Sequence, residues 1–279
     1  MKFLTSLRKS TRLPVNQTFF NTAPSKVLVK IFGYLSPEEL ARARRVSKLW
    51  NILTTQDPLW NAFDLKELFP KLSILSSQVW NDHVNLEMFG LSFTDGKPLD
   101  KRKTIPELKR LFAVLKVEGD AGITLLTIPK GLSFNKLVKI AGCPIKGNKA
   151  TFEHIRISIT AELGDVEVQK TYRVAITNNV LEGSRNKSFK DQQLLVEQFG
   201  CDRPKIIDVV ALLILTFISS SAQSPLRLLN NKPWTLTRCD EKINNNPSIV
   251  GSFAPEGMLV SNIGNDSSSV GIVGWRKFD

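Results

Sequence analysis

The chain has 279 residues, of which 42% are hydrophobic and 23% are charged, and its mean hydropathy is -0.08. This composition is typical of a globular protein, and the length allows a sizeable core in one larger domain or two smaller ones. The longest apolar run, at 206–218, is too short to cross a bilayer and contains Asp208. It predicts a buried helix, and the sequence indicates no membrane partner.

The net charge of +12 and the isoelectric point near 9.7 favour acidic partners. The lysines and arginines are nevertheless spread along the chain, apart from small clusters at 42–45 and 101–103. Nucleic-acid binding is better indicated by a basic stripe with interleaved exposed aromatic residues. We therefore interpret the charge as a solvated basic surface, with a basic RNA-binding or other interaction protein as the alternative.

Cysteine and histidine are scarce. Cys143, Cys201 and Cys239 are far apart, which suits a reducing compartment and argues against a disulfide framework. His83 and His154 have no close cysteine or histidine neighbour, so the sequence predicts no metal site and no cofactor. The basic N-terminus lacks the apolar core of a secretory signal, and a cytoplasmic location is expected.

The clearest pattern lies between Pro24 and Trp60. A first helix is predicted from Ser25 to about Tyr34, with lysines on its polar side. Its apolar face consists of Val27, Leu28, Ile31, Phe32 and Leu35.

Two further helix starts follow. Ser36-Pro37-Glu38-Glu39 combines an N-cap serine, a proline in the first turn and a glutamate three residues after the cap. The helix that follows is expected to lead into a third one that contains Val46 and Trp50. Asp57-Pro58 repeats the combination of cap and proline before Leu59 and Trp60.

These residues resemble an F-box, the module that binds the Skp-type adaptor of cullin-based ubiquitin ligases. The resemblance covers about 23–63 and departs from the usual pattern at Ala23 and at Ser47, where leucine and cysteine are typical. It implies a Skp-type partner, a cullin reached through that partner, and an unknown protein substrate. The implied adaptor-binding residues are Pro24, Leu28, Ile31, Phe32, Leu35, Leu40, Val46, Trp50, Leu59 and Trp60.

A plain three-helix bundle is the alternative, because a tryptophan on a helix is more often a core residue than a contact. The F-box interpretation requires part of the apolar face to stay open. It therefore predicts that a subset of the face is less buried by its own chain than its chemistry demands. That subset is Leu28, Ile31, Phe32, Leu35 and Trp60.

The rest of the chain divides at turn signals. We expect a flexible lead at 1–22, a helical linker at 64–99 that ends in the turn cluster 94–100, and an α+β substrate-recognition domain at 100–279. Within the linker, a helix is predicted over Ser76 to Phe89.

In the larger region, helical spacing predicts a helix that starts near Thr104-Ile105-Pro106, a second one capped by Ser133, and two more at 191–199 and 205–219. Strands are predicted at 123–128 and 172–180. Residues 152–163 fit either helix or strand, and the turn signal Gly164-Asp165 favours a hairpin. From Pro225 onward, short apolar runs between Asn, Gly, Pro and Ser clusters predict antiparallel strands, with reversals at 244–247 and 264–267.

The same region resembles the C-terminal part of F-box proteins carried by chlamydiae that live inside amoebae. The resemblance rests on VEGDAGITLLTIPKGLSFNKLVKIAG, PWTLTRCDEK, VGSFAPEGMLV and the ending Arg276-Lys277-Phe278. It implies a secreted effector that acts in the host cytosol, and it brings no catalytic residue with it.

No catalytic set is predicted. Cys201 stands next to a helix start, where a thiolate would be favoured, and His154 is a conceivable base, but the alternative of a buried small cysteine is preferred. Asp240-Glu241 and the carboxylates Glu162, Asp165 and Glu167 are expected on solvated faces. The sequence thus predicts an α+β protein with N-terminal F-box helices, a mixed domain that ends in short antiparallel strands, and an adaptor function without enzymatic activity.

Overall fold

The computed structural model describes residues 24–229, 232–263 and 266–278. They form two compact units, one of 24–68 with Asp100–Ile105 and one of Phe69–Leu99 with 106–278. The expected lead at 1–22 and the first two residues of the reversal at 264–267 lie outside the described residues. Among those residues, no helix has both the length and the apolarity needed to span a membrane.

The first unit is helical. Its helices in chain order are α1 (Ser25–Phe32), α2 (Pro37–Ala43), α3 (Lys48–Thr54), α4 (Asp57–Asn61) and α5 (Leu65–Leu68). Both α1 and α2 pack on α3. The core of this unit consists of Leu28, Phe32, Leu40, Ala43, Leu53, Leu59, Trp60 and Leu65.

The capping signals account for the start of α2 and only partly for the other helix ends. The Ser36 hydroxyl accepts from the Glu39 N–H while the Glu39 carboxylate accepts from the Ser36 N–H, as the sequence predicts. The predicted cap at Asp57 is wrong, because Asp57 is already helical and Gln56 precedes it without a side-chain bond. The first helix ends at Phe32 rather than near Tyr34, since the amides of Tyr34 and Leu35 bond three residues back in tighter turns.

The second unit contains two sheets. The first has the order β1-β2-β4-β9, with β1 parallel to β2 and the other pairs antiparallel. The second has the order β3-β7-β6-β5-β8, in which β5, β6 and β7 form an antiparallel meander. The strands are β1 (Leu72–Leu75), β2 (Ile123–Ile128), β3 (Phe152–Ile155), β4 (Tyr172–Thr177), β5 (Leu236–Ile243), β6 (Asn246–Ala254), β7 (Gly257–Asn262), β8 (Val270–Gly271) and β9 (Trp275–Phe278).

Six further α-helices lie among the described residues after α5. They are α6 (Ser77–His83), α7 (Lys101–Val114, whose first residues belong to the helical unit), α8 (Phe134–Gly142), α9 (Ile157–Leu163), α10 (Phe189–Gln198) and α11 (Ile206–Ser219). The α+β class and the antiparallel meander near the end are as predicted, and so is the Ser133 cap of α8, which accepts from the Lys136 N–H.

Helix α11 lies at the centre of the second unit and contacts β1 and β2 of the first sheet and β5 and β6 of the second. Nearly all of its side chains are buried, which explains why its sequence is apolar almost all round. Asp208 is an acidic residue within this apolar helix and is fully buried. Its carboxyl group accepts from the Tyr172 hydroxyl (2.5 Å) and from the Trp275 indole N–H (2.8 Å). Burial raises the pKa of Asp208 to about 6, although both hydrogen bonds act to lower it.

Several predicted elements are corrected. Residues 152–163 form no hairpin: β3 pairs in parallel with the distant β7, and α9 follows at once. Helix α7 begins at Lys101, before the predicted start near Thr104, and therefore contains Pro106. The earlier start is explained by Asp100, whose carboxylate accepts from the Arg102 N–H and caps the helix. The helix expected over 76–89 is confined to α6, and strand β1 before it has no counterpart in the prediction.

The reversal at 244–247 occurs as predicted, since Asn244 and Asn245 both adopt a positive φ between β5 and β6. The apolar run at 270–275 does not form a single strand. Its start forms β8, which is parallel to β5, and its end forms β9 in the other sheet.

Candidate functional site

The candidate adaptor surface is on the first helical unit, and the structure divides the predicted residues into three groups. Pro24, Ile31 and Val46 are exposed, and Leu35 and Trp50 are half-buried. The other five are buried in the unit's own core, namely Leu28, Phe32, Leu40, Leu59 and Trp60.

The expectation of incomplete burial is therefore wrong for Leu28, Phe32 and Trp60. Helix α3 covers α1, and the rings of Phe32 and Trp50 meet edge to face at 5.0 Å. The Trp60 indole N–H donates to the Thr54 carbonyl at 2.7 Å, which fixes this ring inside. The plain-bundle interpretation describes these three side chains correctly.

An open apolar stripe nevertheless exists on α1 and just beyond it. Val27 and Ile31, four residues apart on one helical face, are 44% and 39% exposed, and Tyr34 is 90% exposed. Val46 and Ile52 are each 63% exposed in the same unit. For a unit of this size, so many exposed large apolar residues indicate a surface that is available to a partner.

The sequence interpretation did not include Val27, Tyr34 or Ile52 among the site residues. A usable signal existed for Val27, because it stands one helical turn before Ile31 on the same face. For Tyr34 and Ile52 the periodicity was not sufficient, since it shows which face is apolar but not how much of that face the neighbouring helices cover.

Local polar contacts hold the helices that carry these residues. Ser47, the departure from the usual cysteine, caps α3 through its hydroxyl, which accepts from the Trp50 N–H at 3.1 Å. Lys101 and Arg102, which belong to the same unit, donate to the carbonyl groups of Phe63 and Thr55 at 2.6 and 2.7 Å. The residue at position 47 thus has a structural role within the chain itself.

The candidate enzyme residues do not come together. Cys201 is buried, and this burial raises the pKa of its thiol to about 11, so the thiolate expected at a helix start is not favoured. His154 lies exposed on β3, and among the described residues no hydrogen bond joins it to Cys201. The described part of the chain also shows no group of acidic, cysteine or histidine residues that could hold a metal ion.

The carboxylates are mostly engaged with neighbouring donors. Asp240 pairs with Arg203 at 2.5 Å, Glu167 pairs with Lys136 at 2.6 Å, and Asp165 accepts from the Asn135 amide at 2.9 Å. Glu241 differs from the expectation of a solvated face. It is partly buried and accepts from the Ile206 N–H at 3.0 Å, and burial raises its pKa to about 7.

Residues 22–66 match a family model described as F-box-like. No curated protein and no solved structure matches the chain. F-box domains are adaptors rather than enzymes and generally bind Skp-type proteins. The match therefore supports a general role in protein interaction of the ubiquitin-ligase adaptor kind. The chain contains an F-box-like domain at residues 22–66.

Proposed function

We propose that this chain is a substrate-recruiting adaptor. Its F-box-like helices bind a Skp-type protein, and through it a cullin-type ubiquitin ligase, while the second unit selects a protein target. The observation that carries the proposal is the F-box-like match at 22–66 together with the exposed stripe of Val27, Ile31 and Tyr34 in that segment. The transfer chemistry would belong to other subunits of the ligase.

The origin and cellular location of the protein are part of the same proposal. The C-terminal motifs resemble those of F-box proteins from chlamydiae of amoebae, which supports a bacterial effector that acts in the host cytoplasm. Proximity labelling in a host cell tests this setting. The intact chain is expected to label ligase subunits, and a variant with a disabled stripe is expected to lose them.

Capture of a purified Skp-type adaptor by the full chain tests the docking step. The test variant carries Val27→Asp and Ile31→Asp, because both side chains are exposed and the folded unit is expected to tolerate their replacement; circular dichroism of the variant checks that it is folded. Phe32 is a poor choice for such a test, since it is 1% exposed and a charge there would unfold the helices.

The expected loss of affinity is large. Half-exposed valine and isoleucine side chains contribute about 1 kcal/mol each when covered, and an unpaired carboxylate in the interface adds to the cost. We expect a loss of about 3 kcal/mol, or roughly a hundredfold. The matched control carries Met88→Asp and Ile145→Asp, at residues 70% and 61% exposed in the other unit. Equal capture by the two variants would contradict the proposal.

A further inference from the structure

The second unit contains an open cleft of about 600 Å³. This volume is within the range of sites that bind small molecules or peptide side chains. Its lining is mainly apolar, and the apolar part consists of Phe134, Leu163, Val166, Val168, Ile206 and Ile207. A cleft of this kind takes up large apolar groups.

At the mouth of the cleft, the positive charges outweigh the negative ones. Lys170, Lys205 and Lys277 line it and are exposed. The acidic residues Glu167 and Asp240 also line it, but their charges are balanced by the ion pairs with Lys136 and Arg203, which are not part of the lining. The mouth therefore attracts anionic groups, as does the chain as a whole with its net charge of +12.

The remaining carboxyl group of the cleft does not oppose this attraction. Glu241 accepts from the Ile206 N–H at the start of α11, and burial raises its pKa to about 7. The charges of Asp208 and Asp240 act in the same direction. The group therefore takes up a proton more readily than an ordinary glutamate near neutral pH, and a protonated carboxyl can donate a hydrogen bond to a peptide carbonyl.

We propose that this cleft binds an extended segment of the protein target, with one or two large apolar side chains inside the cleft and acidic residues beside them at the lysines. The inference rests on the proposed function, because it names the target as the occupant. The charge complementarity between an acidic segment and the lysine-lined mouth, and the apolar wall behind it, determine the chemical class of that segment.

Fluorescence anisotropy with the full chain tests the proposal. The probe is a short peptide with an uncharged dye and two leucines flanked by aspartates. One control peptide carries lysines in place of the aspartates, and another carries serines in place of the leucines. We expect the acidic, leucine-containing probe to bind about tenfold or more tightly than either control, and its affinity to fall as salt is raised.

Matched variants locate the site. Val166 and Ile145 are 60% and 61% exposed, and only Val166 lines the cleft. Val166→Glu is expected to weaken probe binding about tenfold, whereas Ile145→Glu leaves it unchanged. The double change Lys170→Glu and Lys205→Glu is expected to abolish the dependence of probe affinity on salt concentration. Lys146→Glu with Lys149→Glu, at exposed positions that do not line the cleft, serves as its control.

Three results would overturn the inference: equal binding of the acidic and basic peptides, equal binding of the two variants in either pair, or tighter binding of a single-stranded oligonucleotide at the same site. Adaptor capture by the same variants separates the two proposals. Val166→Glu should still capture the adaptor. If the native chain binds the peptide but fails to capture the adaptor, the proposed function fails and the cleft remains a peptide site.

Discussion

The buried carboxyl of Asp208 makes the stability of the chain depend on pH in a direction opposite to that of a salt-bridged aspartate. Its pKa is raised from 3.8 to about 6 by burial, so the folded chain holds this proton more tightly than the unfolded chain. Between about pH 4 and about pH 6 the unfolded state has lost the proton while the folded state retains it. Stability therefore falls as the pH rises through this window.

The size of the effect follows from the shift. About two pKa units, at roughly 1.4 kcal/mol each, give about 3 kcal/mol. Asp208→Asn removes the titration and is expected to match the native chain near pH 4, because the amide resembles the protonated carboxyl: its N–H can donate to the Tyr172 hydroxyl while its carbonyl accepts from Trp275. By about pH 7 the native chain should be less stable than the variant by about 3 kcal/mol, which is the full cost of the shift.

Urea unfolding followed by tryptophan fluorescence at several pH values measures this difference. The Asp208 charge also raises the pKa of Glu241, so the contribution of Glu241 to the pH dependence is smaller in the variant. A difference between native and variant that stays constant from pH 4 to pH 7 would refute the reasoning. Tyr172→Phe gives an independent check: loss of a donor that lowers the pKa should extend the window to higher pH.

Two further predictions concern reactivity and packing. With an aromatic disulfide reagent near pH 7, the exposed Cys143 should react at once and the buried Cys201 only upon unfolding, and rapid modification of Cys201 would contradict its raised pKa. Gly122→Ala would place a Cβ atom 1.9 Å from a backbone carbonyl oxygen and should lower the free energy of unfolding by about 2 kcal/mol or more. Gly142→Ala meets open space, and this change should be neutral or stabilising. Equal effects of the two changes in thermal unfolding would argue against this packing.

The parts of the fold that could be predicted are those fixed by neighbouring residues. The capping box of Ser36 and Glu39, the Ser133 cap and the buried strand at Ile123–Ile128 each depend on a few consecutive positions. The elements that were missed depend on remote partners. Strand β1 has only four residues and exists because β2 pairs with it, and β3 is held by β7, about a hundred residues away.

The same distinction applies to the sites. Periodicity identified the apolar face of the first helix but could not show that Phe32 is covered by Trp50 while Ile31 stays open. The cleft was beyond sequence reasoning, because Phe134, Val166, Ile206 and Lys277 come from four separate segments. Glu241 was predicted on a solvated face, because its contact with the Ile206 N–H at the start of α11 joins residues that are 35 positions apart.

The pairing of β9 with β4 has a consequence for the way this protein is made. The first sheet receives its last strand, Trp275–Phe278, only after the whole second sheet has been synthesised. Until then, Asp208 lacks its Trp275 donor and the edge of β4 remains open. A growing chain must therefore keep a half-finished sheet from pairing with other chains while about a hundred more residues emerge. Shortened forms that stop before Trp275 should be recovered as aggregates rather than as a smaller folded unit.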